Sequence, residues 1–179
     1  MGYDIPAAIG VRLTGTTDEV IVLMGDGNYQ MHPMELVTAI QERTKIIIVL
    51  NVNYGYQSIH GHQKALVGHS LGNEFKIRDS ESGLLDKGKF IEVDYVKNAE
   101  SIGLKAWFAQ SEEELHKSLH AAYAEEGPCL IVVPTEKYRF PPDSGVWWEV
   151  VGAEVTGYPV TRDLVAKREA GRRKQRYYY

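Results

Sequence analysis

The stretch VIVLMGDGN, residues 20–28, answered by KIIIVLNVNYG, residues 45–55, decides the fold of this chain. Val20-Ile21-Val22-Leu23-Met24 is an uninterrupted apolar run of strand length that stops at glycine. Lys45-Ile46-Ile47-Ile48-Val49-Leu50-Asn51 is a second such run, as expected of a parallel strand covered on both faces. Between them, His32-Pro33 is expected to open a helix, with proline in the first turn where its missing N–H does no harm. Met34, Leu36, Val37 and Ile40 give that helix an apolar face running to Arg43. A strand–helix–strand unit of this kind is right-handed and brings both strand ends to one edge of the sheet.

Asp26 and Asn53, 27 positions apart, then sit on neighbouring loops, because adjacent strands lie roughly 4.8 Å apart. Asp26 offers a carboxylate, Asn53 an amide oxygen and Gly55 a backbone carbonyl. This is a hard, incomplete oxygen set of the kind that suits Mg²⁺, whose octahedron is completed by water and phosphate oxygens. Gly27 allows close approach of a diphosphate, and the N–H groups of the following turn can donate to it. Ligands of open α/β sheets bind beyond the carboxyl ends of the strands, which is where these loops fall.

On these residues the sequence resembles the thiamine-diphosphate (ThDP) enzymes, whose diphosphate-binding domain carries GDG, a spacer of this length and an Asn. Residues 1–10, MGYDIPAAIG, resemble the segment that precedes GDG in acetolactate-synthase-like members. The resemblance covers residues 1–135 and implies the ThDP-binding fold there, with 136–179 an aromatic and basic C-terminal extension. It implies that Asp26, Asn53 and the Gly55 carbonyl ligate Mg²⁺ and that Gly25, Gly27 and Asn28 line the diphosphate. Tyr56 is expected as a further cofactor contact, and Met1 as the bulky residue under the thiazolium. The usual Asn-Asn pair reads Val52-Asn53, so the first Asn is absent while the ligand position is kept.

The remaining chain continues the alternation. Residues 2–13 read as a helix carrying Ile5, Ile9 and Leu13, and residues 56–67 as another. Residues 68–89 are too long for an ordinary connection and are expected to form a functional or subunit-contacting loop. A short helix over 95–102 precedes a strand at 104–108. Ser111 and Glu114 form a capping box for a helix bearing Leu115, Leu119, Ala122 and Tyr123. Gly127-Pro128 ends that helix before the apolar strand 129–133. The fold class is therefore α/β, a parallel sheet with helices on both faces.

At 179 residues, 44% hydrophobic and 25% charged, the chain has the composition of a globular domain. It shows neither a membrane-length apolar run nor a signal-peptide pattern, so a cytoplasmic protein without membrane partners is expected. Cys129, the single cysteine, lies in an apolar strand and reads as a buried small hydrophobe. The net charge of −4 argues against nucleic acid. It hides a basic tail, however: residues 162–179 carry seven Lys/Arg against Asp163 and Glu169, a net of +5. A solvated basic helix, packed on the acidic body or a neighbouring subunit, is the favoured expectation there, with RNA or membrane binding as the sharper alternative.

His116 and His120 have zinc-compatible i,i+4 spacing, but Glu114 and Lys117 beside them indicate a solvated face. His60 and His62 can donate to phosphate or relay a proton, although surface or loop positions without a carboxylate partner are the favoured reading. His32 and Gln30 are candidates near the cofactor, His32 with capping as its equal alternative.

The segment Phe140-Pro141-Pro142-Asp143-Ser144-Gly145-Val146-Trp147-Trp148 and the tail Arg172-Arg173-Lys174-Gln175-Arg176-Tyr177-Tyr178-Tyr179 resemble one branch of the ThDP family. That branch opens a trihydroxylated cyclic 1,2-dione to a deoxyglucuronate in myo-inositol catabolism. The tryptophans read equally well as a core plug or a dimer contact. The alternatives are a 2-oxo-acid carboligase or decarboxylase, and a non-catalytic assembly module. The family takes its activating glutamate from a pyrimidine-binding domain, often of a neighbouring subunit, and no motif here matches it. Pyrimidine-binding and middle domains are thus expected outside this chain, which alone should not turn over. A homo-oligomer is expected, and the catalytic residues stay unassigned.

Overall fold

The computed structural model describes residues 1–139 and 155–176. The chain divides into two compact units, Met1–Tyr56 with Phe90–Lys137, and Gln57–Lys89 with Tyr138–Tyr179. The expected segment 140–148 and the terminal Tyr177-Tyr178-Tyr179 lie outside the described residues, apart from which the tail is seen to Arg176.

The first unit contains helices α1 (Asp4–Leu13), α2 (Asp26–Tyr29), α3 (Glu35–Gln41), α5 (Tyr95–Ile102) and α6 (Glu112–Ala124). Its strands are β1 (Ile21–Gly25), β2 (Ile47–Val52), β3 (Lys105–Phe108) and β4 (Cys129–Pro134). The strands form one sheet in the order β1-β2-β4-β3, parallel throughout, with Gly25 opposite Asn51 and Val52 opposite Pro134. Because side chains alternate along a strand, β2 and β4 feed two cores. Ile48, Leu50, Leu130 and Val132 pack with Ile5 and Ile9 of α1, Leu36 and Ala39 of α3, and Tyr95 and Ala99 of α5. Ile47, Cys129 and Ile131 pack with Ala122, Leu115 and Leu119 of α6. The sheet thus carries helices on both faces, as the alternation of elements implies.

Several local expectations are corrected. Pro33 does not open the helix: residues 30–34 are turns, Met34 is the N-cap, and α3 starts at Glu35. Its buried residues are Leu36 and Ala39, whereas Met34 is 65% exposed, because a short helix starting later turns a different stripe to the sheet. Leu13 of α1 and Leu23 of β1 also face outward; β1 is an edge strand covered on one face only. Ser111 caps α6 by accepting the Glu114 N–H at 3.2 Å, but the Glu114 carboxylate returns to the Gln110 N–H at 2.7 Å, one residue before the usual capping-box partner.

The second unit contains helices α4 (Gln57–Val67) and α7 (Pro159–Arg172). Thr161 Oγ1 of α7 donates to the Val67 carbonyl at 2.8 Å. Residues 68–89 hold no helix or extended strand. Gln63 of α4 ties them down instead, its Oε1 accepting from Leu71 N–H at 3.0 Å and Asn73 Nδ2 at 2.6 Å. The basic helix is largely solvated, with Thr161 its buried residue, although the Arg168 side chain is 9% exposed and pairs with Glu169 at 3.2 Å. No helix among the described residues is long and apolar enough to cross a membrane.

Candidate cofactor site

β1 ends at Gly25, and the next residue, Asp26, begins the single helical turn α2. β2 ends at Val52, one strand over, and releases Asn53-Tyr54-Gly55 at the same edge. The Asp26 side chain is fully buried and is gripped by backbone donors from both loops. Its Oδ2 accepts from Tyr54 N–H at 2.7 Å, and its Oδ1 from Gly27 N–H at 3.0 Å and Gly55 N–H at 3.4 Å. Burial raises the Asp26 pKa above the usual carboxylate range, against the lowering effect of the backbone N–H groups of Tyr54, Gly55, Gly27 and Asn53.

The Asn53 side-chain amide lies 3.1 Å from Asp26 Oδ1 and 2.9 Å from the Gly55 carbonyl oxygen. With its nitrogen turned inward, the amide donates to both oxygens. Turned the other way, it places its own oxygen against both, making a set of one carboxylate and two neutral oxygens gathered around the amide. Such a cluster is repulsive unless a proton or a cation sits at its centre, and its chemistry fits a hard divalent ion. The residues present therefore fit the metal expected from the sequence.

Gly27 is needed for a reason the sequence did not reveal. A Cβ there would lie 2.6 Å from the Tyr56 ring and 3.4 Å from the Gly55 carbonyl oxygen. The aromatic ring of Tyr56 thus packs directly on the glycine turn. Asn28, expected at the diphosphate, donates through Nδ2 to Asp4 Oδ2 at 3.2 Å. Gln30 Nε2 donates to Tyr95 Oη at 2.7 Å, and Tyr29 Oη donates to Asn98 Oδ1 at 2.7 Å. Tyr29 and Tyr95 meet edge-on with centroids 5.6 Å apart, so α5 braces the turn that carries Asp26. Met1 is 62% exposed, and the adjoining Gly2 lies against the exposed His32 ring.

His60, in the second unit, is neither a surface nor a loop residue. It is 3% exposed, with Nδ1 at 2.9 Å from Ser70 Oγ and 3.9 Å from Glu74 Oε2. The carboxylate partner missing from the sequence reading is Glu74, 14 residues away in the long loop. Burial lowers the His60 pKa, with Glu74 pulling the other way and Lys64 and Lys76 adding to the fall. His62 is exposed, as are His116 and His120. Among the described residues no cluster of three or more His, Cys, Asp or Glu side chains is placed to hold a metal, so the His116/His120 pair lacks further ligands of that kind. Cys129 is buried, and burial pushes its thiol up to about 11.

Residues 1–133 match the family described as thiamine pyrophosphate enzyme, C-terminal TPP binding domain, and the chain belongs to that family. Within it, two relatives are named 3D-(3,5/4)-trihydroxycyclohexane-1,2-dione hydrolase. The one from Clostridium botulinum (strain Alaska E43 / Type E3) is 36% identical over 156 residues, and the one from Geobacillus thermodenitrificans (strain NG80-2) is 37% identical over 156 residues. Each match takes in 87% of this chain and 24% of the relative, so the chain spans about a quarter of their length. Among solved structures, a thiamine diphosphate-dependent 4-hydroxybenzoylformate decarboxylase from Rhodococcus jostii RHA1 superposes with a TM-score of 0.64 at 26% identity, over 76% of this chain and 23% of that one. A putative thiamin diphosphate-dependent enzyme from Mycobacterium smegmatis, 24% identical over 76% of this chain and 22% of that one, shares the fold with a TM-score of 0.58.

Several residues at the site were missed in the sequence. Tyr54 follows β2, whereas Tyr95 and Asn98 lie on α5, and no local spacing links the helix to the loops. The one available signal was the bulky Tyr54 placed between two ligand positions.

Proposed function

We propose that this chain is the cofactor-binding domain of a ThDP- and Mg²⁺-dependent hydrolase that opens trihydroxycyclohexane-1,2-dione between its adjacent carbonyls, in myo-inositol degradation. The observation that carries the reading is that the Asn53 amide lies within hydrogen-bond distance of both the Asp26 carboxylate and the Gly55 carbonyl, at the carboxyl ends of two parallel strands. Asp26, Asn53 and Gly55 would hold Mg²⁺, with Gly25, Gly27 and Asn28 at the diphosphate and Tyr56 closing the turn. Met1 would lie against the thiazolium. When bound, ThDP supplies a nucleophilic carbon and a sink for the electron pair of the broken bond. The chain's own contribution is placement: Asp26 anchors the ion, and the sheet edge fixes where the diphosphate lies.

The substrate follows the two relatives at 36% and 37% identity. The activating carboxylate would come from a pyrimidine-binding domain of the same or a neighbouring subunit in a cytoplasmic homo-oligomer. A second reading, a 2-oxo-acid decarboxylase or carboligase, is favoured by the structural likeness to the 4-hydroxybenzoylformate decarboxylase.

Titration of ThDP with Mg²⁺ into the full-length enzyme and its Asp26→Ala variant tests the site, and turnover by that enzyme of the cyclic dione against pyruvate tests the substrate. Asp26→Ala should remove Mg²⁺-dependent binding; unchanged binding would overturn the metal site. Turnover of pyruvate without the dione would overturn the hydrolase in favour of the second reading.

A further inference from the structure

Tyr54 stands between two of the three oxygen donors, and its φ of +62° lies in the left-handed region. For a bulky aromatic residue that conformation is strained, and it persists only where the surroundings over-determine it. One restraint is the Tyr54 N–H, which donates to Asp26 Oδ2 at 2.7 Å. The other is a grip on the ring. Phe90 meets it with centroids 5.4 Å apart and planes inclined by 52°. Lys137 Nζ then lies 4.5 Å from the Tyr54 centroid and 4.9 Å from that of Phe90. Among the described residues Lys137 makes no ion pair, so its half-buried charge is directed at the two ring faces.

We propose that Lys137, seated over Tyr54 and Phe90, is a positioning residue that holds Tyr54 in its left-handed conformation and so keeps the Asn53 amide against both the Asp26 carboxylate and the Gly55 carbonyl. The inference rests on the metal-site reading above and adds what keeps that site in shape. Without the clamp, Tyr54 relaxes toward negative φ, which swings Gly55 relative to Asn53 and opens the oxygen set. Lys137 lies beyond the end of β4 and Phe90 ahead of α5, so the clamp ties the metal loop to two other parts of the first unit.

The test compares the full chain as wild type, Lys137→Met, Tyr54→Asn and the double variant, with Asp26→Ala as reference. Asn is chosen because it tolerates the left-handed region. Two measurements are made: calorimetric titration with Mg²⁺ and ThDP, and amide exchange at Tyr54 in the cofactor-free protein. Lys137→Met should weaken Mg²⁺-dependent binding on the order of fivefold and speed exchange at the Tyr54 amide. In the Tyr54→Asn background the same change should cost little, because Asn needs no clamp. An equal loss in both backgrounds, or an unchanged Tyr54 exchange rate in Lys137→Met, overturns the proposal while Asp26→Ala still abolishes binding. Binding that survives Asp26→Ala overturns the metal site itself, a result distinct from failure of the clamp.

Discussion

The two units of this chain are held by different forces. In the first, Ile47, Ile48, Leu50, Leu130 and Ile131 are fully buried, and order follows from apolar side chains alternating between two cores. In the second, residues 68–89 are ordered by polar pairings: His60 with Ser70, Gln63 with Asn73, and Glu74 with Lys76 at 2.8 Å and Tyr138 at 2.6 Å. Apolar burial is non-directional and cooperative over a whole sheet, whereas the polar pairings are short-ranged and support one another only within their own network. Leu130→Ala should therefore cost about 2–5 kcal/mol and lower hydrogen-exchange protection across β1, β2 and β4 together. Glu74→Gln should cost about 1–3 kcal/mol and deprotect residues 68–89 while the sheet stays protected. Urea unfolding and exchange of the two variants measure this contrast, and a uniform loss in both would erase it.

The same division explains what was legible in the sequence. The strands were readable to within one or two residues because their apolar runs are continuous, and the pairing of β1 with β2 followed from the crossover. That Asp26, Asn53 and Gly55 come together was readable because they sit at fixed offsets from strand ends. The exposed face of α3 was not, since Met34 and Val37 look like core residues until the start of the helix is known. Glu74 was invisible as a partner of His60, because nothing local joins a helix to a position well along an irregular loop. Phe90 and Lys137 failed for the same reason, each being brought against Tyr54 by tertiary structure alone.

Acid should act first on the second unit. Burial holds the His60 pKa below its ordinary value of 6.5, so the folded state favours the neutral ring. That contribution is fully present above pH 6.5 and is lost as the pH falls through the folded value. Glu74 follows: burial alone would raise its pKa, but the hydrogen bonds from Lys76 and Tyr138 and the Lys76 charge outweigh this and hold it below 4.5. Its stabilisation is present above pH 4.5 and disappears lower down. Limited proteolysis within 68–89 should therefore quicken between pH 7.5 and 5, and His60→Gln should flatten that step. An equal quickening in the variant would remove His60 as its cause.

Alkali reverses the order of failure, with a smaller effect on the first unit. Burial pushes the Cys129 thiol from 9.0 up to about 11, and the Tyr29 hydroxyl from 10.0 up to about 12. Both groups are neutral when protonated, so between the unfolded and folded values the native state binds more protons. Stability from Cys129 is then complete below pH 9 and falls as the pH climbs toward 11. The urea midpoint should drop between pH 8 and 10.5, and Cys129→Ala should drop less over the same interval despite starting lower. The thiol should resist alkylation at pH 8 in the native protein, because it is buried in β4 beside Ile47 and Ile131 and is not deprotonated there. Rapid labelling of the native protein at that pH would mean that the α6 face of the sheet opens locally, placing part of the first unit under the short-ranged control that governs the second.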